Sequence, residues 1–177
     1  VESPGPGVSS PIVWKKKLFI STATENSRAI VCLDTETGDT LWEHPVDGIE
    51  MSPTEPPKVF NDDETLYAAP TMTTDGKRVY AIFANGDLVC CDTEGNRVWG
   101  FNLGMPENHY GHSTSLMMYM NWLILQYDHS SDAFVSAIDG KTGNTVWEAV
   151  RTGISWGSPV LAEWEGKQIL VLNNSVD

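Results

Sequence analysis

The residues best suited to chemistry fall in a few short stretches. Cys90 and Cys91 stand side by side, and His109 and His112 lie three apart in Pro106-Glu-Asn-His-Tyr-Gly-His112. Neighbouring Cα atoms sit about 3.8 Å apart, below the roughly 4.4–6.8 Å that a disulfide prefers, so bridging the cysteine pair would distort its peptide. In a strand the two thiols point to opposite faces, where they act as small apolar groups. The histidines would be half of a metal site, with Glu107 or Asp128 as the candidate third ligand, but a loop histidine used for hydrogen bonding is the commoner case. Asn61-Asp-Asp-Glu64 lacks the glycine and distal glutamate of a calcium loop and reads as a solvated acidic turn. Gly111-His-Ser-Thr forms neither a nucleophile elbow nor part of a triad. No catalytic, cofactor-binding or metal-binding set is therefore expected. The candidate interaction residues are His109, Tyr110 and His112 in one loop and Arg151 and Trp156 in another, with Trp156 packing on its neighbours and Arg151 holding loop carbonyls as the simpler reading. His44 and His129 read as surface or blade-edge residues.

What positions these loops is a repeat. Val31-Cys-Leu-Asp-Thr-Glu-Thr-Gly-Asp-Thr-Leu-Trp42, Val89-Cys-Cys-Asp-Thr-Glu-Gly-Asn-Arg-Val-Trp99 and Ser136-Ala-Ile-Asp-Gly-Lys-Thr-Gly-Asn-Thr-Val-Trp147 each run from an apolar strand through Asp and a glycine turn to Trp. The recurring residues are Asp34, Gly38 and Trp42, then Asp92, Gly95 and Trp99, then Asp139, Gly143 and Trp147. An Asp side chain accepts from turn N–H groups two residues on, and Gly takes the left-handed position, so the pair fixes a β-hairpin. The middle copy is one residue shorter between Asp and Trp and should turn differently. Leu41-Trp42, Val98-Trp99 and Val146-Trp147 place apolar neighbours on opposite faces, which predicts a last strand buried on both sides.

Two more short strands precede each hairpin. They run over Ser9–Trp14 and Leu18–Ser21 in the first copy, Ala69–Met72 and Val79–Phe83 in the second, and Thr114–Met117 and Trp122–Leu125 in the third. Ser158–Leu161 and Gln168–Leu172 begin a fourth, to which residues 1–8 are a candidate source of an outer strand. The turn Asps recur at intervals of 58 and 47, while Pro11, Pro70, Ser115 and Pro159 recur at 59, 45 and 44. Four strands per unit of about 45 residues is the spacing of a β-propeller blade. The fold class is thus all-β, a partial β-propeller of about three and a half blades in one domain over residues 1–177. Its blade units span about 9–46, 68–103 and 113–150, with a half unit at 157–177. The long first interval reflects a Pro-rich, acidic insertion over residues 47–65.

Composition narrows the partners. Eleven Lys and Arg against 24 Asp and Glu give a net charge of −13, which repels phosphate backbones and anionic membranes. Nucleic acid and membrane insertion are therefore not expected, and no apolar run of about 18 residues is present. Val1-Glu-Ser-Pro-Gly-Pro-Gly lacks the basic and apolar regions of a signal peptide. Three cysteines without CxxC spacing indicate no disulfide framework and no zinc site.

Leu33-Asp-Thr-Glu-Thr-Gly-Asp-Thr-Leu-Trp42, Ile138-Asp-Gly-Lys-Thr-Gly-Asn-Thr-Val-Trp147 and the Ser-Pro openings at Ser10 and Ser158 resemble the tryptophan-docking repeats of the quinoprotein-like (PQQ-like repeat) propellers. That superfamily includes the pyrroloquinoline-quinone (PQQ) dehydrogenases and the propeller subunit of the outer-membrane protein assembly machinery. The resemblance implies a periplasmic or otherwise extracytoplasmic, non-catalytic scaffold that binds a protein, small molecule or polymer. Further blades, or a second copy, would cover its open edges. The alternatives it implies are part of a PQQ-dependent dehydrogenase, with PQQ and calcium as cofactors and Cys90-Cys91 as the adjacent pair some of those enzymes carry, or a sensor or substrate-binding domain of a larger exported protein.

Overall fold

The computed structural model describes residues 4–55, 67–108 and 110–174, so His109 and the Asn61–Glu64 turn lie outside the described residues. Fourteen strands and no helix are present among them. The first blade is β1 (Ile12–Trp14), β2 (Lys17–Ala23), β3 (Arg28–Asp34) and β4 (Thr40–Pro45), and the second is β5 (Thr73–Thr74), β6 (Arg78–Ile82), β7 (Asp87–Asp92) and β8 (Arg97–Asn102). The third is β9 (Met117–Tyr119), β10 (Trp122–Tyr127), β11 (Phe134–Asp139) and β12 (Thr145–Val150), followed by a pair, β13 (Val160–Trp164) and β14 (Lys167–Val171). Three antiparallel sheets of four strands in sequence order and one of two strands result, none closed on itself. This is a partial propeller of about three and a half blades.

The alternation of the central strands builds the cores between the sheets. Phe19, Ile30 and Cys32 of the first blade pack with Val79, Val89 and Cys91 of the second. Tyr80, Leu88 and Cys90, on the opposite face of that second sheet, pack with Leu123, Leu125 and Ile138 of the third. Ile124, Val135 and Ala137 then face Leu170 and Leu172. Cys90 and Cys91 thus lie in different cores, and burial pushes the Cys91 thiol up to about 12 and Cys32 to about 11, which keeps them protonated.

The hairpin turns are made by their Asp residues. Asp34 Oδ1 accepts the Glu36 and Thr37 N–H groups at 2.7 and 2.9 Å, and Asp139 Oδ1 accepts those of Lys141 and Thr142 at 3.1 and 2.8 Å. These bonds favour the ionised carboxylate and hold both groups below the usual Asp value. Gly38 and Gly143, at φ 78° and 76°, each donate back to the Asp carbonyl four residues earlier. In the shorter middle copy Gly95, at φ 91°, donates to the Asp92 carbonyl only three residues earlier, so the turn does differ.

Three expectations need correction. The outermost strands are not buried on both sides: Leu41, Val98 and Val146 are 47%, 45% and 46% exposed. Each is the extra residue of a β-bulge, since Cys32 pairs with Trp42 but Leu33 with Thr40, and the same step recurs at Cys90/Cys91 and Ala137/Ile138. The bulge breaks strict alternation and sends this residue outward. The first strand of a blade also starts later than the apolar runs indicated, because Ala69–Met72 and residues 114–116 serve as connections and only Thr73–Thr74 and Met117–Tyr119 enter ladders. Finally, the N-terminal segment joins the first blade rather than the half unit: the Pro6 carbonyl accepts from Ala23, and Val8 and Ser9 donate to Ala68.

Candidate functional site

An antiparallel blade has two ends. The β1–β2 and β3–β4 type turns lie at one, and the β2–β3 type turns and blade-to-blade connections lie at the other. The repeat occupies the first end, where side chains are spent on turns. A cleft of about 300 Å³ there is lined by Asp75, Arg78 and Asp139 among others. Arg78 pairs with Asp75 at 2.6 Å, and Asp139 caps its own turn.

The second end collects most of the candidate residues. Arg151, just beyond β12, grips Asp128, just beyond β10, with two bonds: Nε to Oδ1 at 2.8 Å and Nη2 to Oδ2 at 3.0 Å. The Asp128 side chain is fully buried. Arg151 Nη2 and Gln126 Nε2 both donate to the Asn173 carbonyl at 2.9 Å, and Gln126 Nε2 also donates to Asp128 Oδ2 at 2.6 Å. Arg151 is therefore a clamp on a carboxylate as well as on a carbonyl, and it ties the third blade to the chain leaving the half unit. Its planar fork suits this bidentate geometry in a way that Lys cannot match.

Trp156 and Tyr110 form the exposed part. Trp156 is 50% exposed, donates from Nε1 to Asn108 Oδ1 at 3.2 Å, and meets the Tyr110 ring edge-on at 5.8 Å. The connections 103–116 and 151–158 are thus joined into one surface. Below it, His112 and His129 flank Tyr127, with ring centroids at 5.0 and 5.2 Å, and Tyr127 donates to the Gly104 carbonyl at 2.6 Å. His112 is 3% exposed with Nε2 at 2.9 Å from the Thr114 carbonyl, and burial pulls it down to about 4. Of the two readings of His129, surface or blade-edge, the surface one fails: the residue, just past the end of β10, is 8% exposed, and burial lowers its pKa too. His112 is thereby committed to the protein and is not a free ligand. No group of three His, Cys, Asp or Glu close enough to hold an ion occurs among the described residues, which do not include His109.

Sequence reasoning passed over a second buried carboxylate. Asp87, fully buried, accepts from Asn85 Nδ2 at 2.8 Å, Asn102 Nδ2 at 2.8 Å and Ser52 Oγ at 2.9 Å, with Arg28 Nε at 3.0 Å off the line of a good hydrogen bond. It fastens the described start of the insertion to the first two blades. The available signal was an Asp placed at the apolar start of a strand, directly after an Asn-Gly turn. PQQ and calcium do not fit the described residues: Cys90 and Cys91 face separate cores, and both buried carboxylates are already taken by arginines and amides.

A family model described as outer membrane protein assembly factor BamB matches residues 1–118, two-thirds of the chain. No curated protein matches. Among solved structures, BamB from Moraxella catarrhalis is 22% identical with a TM-score of 0.54, over 81% of this chain and 36% of that one. A europium-containing methanol dehydrogenase is 14% identical with a TM-score of 0.59, over 81% and 24%. The quinohemoprotein alcohol dehydrogenase of Comamonas testosteroni is 15% identical with a TM-score of 0.59, over 82% and 21%. At such identities these structures share the fold, and this chain spans about a third of their length or less.

Proposed function

The chain belongs to the family of the outer-membrane protein assembly factor BamB, and from that premise we propose that it is a non-catalytic, extracytoplasmic propeller scaffold that binds a protein segment through the connecting-loop end. One observation carries this reading: a buried Asp128–Arg151 clamp preforms the loops around a half-exposed Trp156 and its Tyr110 neighbour. A rigid aromatic anchor beside polar groups is the usual core of a protein-recognition patch. The rings of Trp42 and Trp99 against the next blade correspond in this reading to the family's tryptophan docking. Function resides where the repeat is interrupted.

The test is selection of peptides from a displayed random library on the wild-type chain, repeated with Trp156→Ala and with Trp164→Ala. Trp164, on β13, is 66% exposed but lies outside the loop surface. Enrichment lost in Trp156→Ala and kept in Trp164→Ala supports the proposal. Enrichment indifferent to Trp156 overturns it.

A further inference from the structure

Two arginines meet buried carboxylates at the connecting-loop end, and they are used differently. The side chains of Arg28 and Arg151 are 18% and 14% exposed, and those of their partners Asp87 and Asp128 are both fully buried. Arg151 spends its fork on Asp128 and on the Asn173 carbonyl, with every bond between 2.8 and 3.0 Å. Arg28 has Nε at 3.0 Å from Asp87 Oδ2, out of line, and its guanidinium completes no hydrogen bond among the described residues. Asp87 does not need one, because Ser52 and Asn85 already donate to its Oδ2 and Asn102 to its Oδ1. Arg28 therefore offsets the charge of Asp87 while its N–H groups stay unused. A guanidinium carries five donors, and leaving them idle at this depth calls for an acceptor.

The place for that acceptor is a cleft of about 230 Å³ between the β2–β3 turn and the N-terminal segment, lined by Arg28, Thr24, Ser27, Glu43, Pro6 and Pro45 among others. With Nε buried against Asp87, the Nη1 and Nη2 edge is the part of the fork left for an occupant. A hydroxyl donor lines the same cleft. Thr24 Oγ1 accepts the Asn26 and Ser27 N–H groups at 3.2 and 3.1 Å, which fills its lone pairs, so in the 2.8 Å contact with Ser27 Oγ it is Thr24 that donates. The Ser27 O–H then has no acceptor among the described residues.

We infer that this cleft is a carboxylate site, in which Arg28 grips one carboxylate of a ligand through Nη1 and Nη2 and Ser27 donates a third bond. A planar carboxylate matches the fork edge to edge. Glu43 lines the cleft, Asp87 lies against the guanidinium, and the chain carries a net charge of −13, so a singly charged acid is favoured over phosphate or another multiply charged anion. Pro4, Pro6 and Pro45 give the cleft apolar walls without N–H groups, and its volume holds a short apolar body, below the size of a cofactor pocket. The occupant is thus a small monocarboxylic acid or the carboxy-terminal residue of a peptide. The site belongs to the first blade and does not rest on binding at Trp156.

The ¹⁵N-labelled 177-residue chain is titrated with propionate, with N-acetyl-alanyl-leucine bearing a free carboxylate, with the same dipeptide as its amide, and with inorganic phosphate, and followed by backbone amide and arginine Nε–H resonances. Saturable shifts at Arg28 and at residues 24–27 are expected with a carboxylate, with binding at least about tenfold weaker for the amide and for phosphate. Propionate binding more tightly than the dipeptide marks a free acid as the occupant and the reverse order a chain end, and either supports the site. Ser27→Ala should weaken binding about fivefold, and Arg28→Lys, which keeps the charge and loses the fork, at least about tenfold. Should Arg28→Lys fail to fold, the acid-against-amide comparison and Ser27→Ala decide. No saturable shift with either carboxylate, equal binding of acid and amide, phosphate binding as tightly as carboxylate, or binding indifferent to the folded variants overturns the inference.

Discussion

Trp99 and Trp147 have the same residue type and the same place in the repeat, and among the described residues only Trp99 meets a turn of the following blade. Trp99 stacks on Phe101 at 5.6 Å, tilts against Tyr80 at 5.9 Å and donates to Gly140 at 3.1 Å. Full truncation of a core Trp costs about 3–5 kcal/mol, and because Trp99 is only partly buried the lower end applies, about 3 kcal/mol. Trp147 packs on Ile124, Val135 and Ala137 but meets no such turn among the described residues, so in this 177-residue chain Trp147→Ala should cost about 1 kcal/mol. Urea unfolding followed by far-UV circular dichroism on both variants gives the two losses under one linear extrapolation. Trp99→Phe, which keeps a ring and loses the N–H, should fall about 1 kcal/mol below the parent. Equal losses for Trp99→Ala and Trp147→Ala would refute the view that the contact with the next turn, rather than the tryptophan itself, holds the blades together.

Other outcomes follow from the same geometry. Asp128→Asn leaves the part-buried Arg151 guanidinium without a counter-charge and should destabilise by about 3 kcal/mol, measurable by urea unfolding, with the double variant Asp128→Asn/Arg151→Met recovering part of the loss. His112 has a folded value near 4 against about 6.5 in the unfolded chain, so the unfolded state binds the extra proton. Stability is then full above about pH 6.5 and falls by about 3 kcal/mol as the pH drops toward 4, a slope that His112→Leu should flatten. Gly95→Ala and Gly104→Ala should each cost about 1 kcal/mol from their shared φ of 91°, and Gly95→Ala should cost more, because only its added Cβ meets a neighbour, the Trp42 ring. The thiols of Cys32, Cys90 and Cys91 should react with a disulfide reagent only at the rate of unfolding.

How much of this was legible in the sequence depends on the range of each interaction. The Asp and Gly of each hairpin act over two to four residues, so their spacing showed the turns, the repeat and the blade architecture. The bulge at Leu41, Val98 and Val146 was hidden because it depends on register against the third strand, and an apolar pair reads the same with or without it. Asp128 and Arg151 lie 23 residues apart and meet only because β10 and β12, which flank β11, finish at the same end of one sheet. Both do interrupt the repeat, a signal that pointed to Arg151 but left Asp128 as a mere metal candidate. His129 looked superficial because its burial at the end of the third blade does not show in a local pattern.

The most direct test of the scaffold reading is hydrogen–deuterium exchange, read by mass spectrometry, on the chain with and without a peptide selected on it. Protection confined to residues 103–116 and 151–158, with the turns at 34–39, 92–96 and 139–144 unchanged, is the predicted result. Protection at those repeat turns, with the connecting loops unaffected, would contradict the assignment of binding to the places where the repeat is broken.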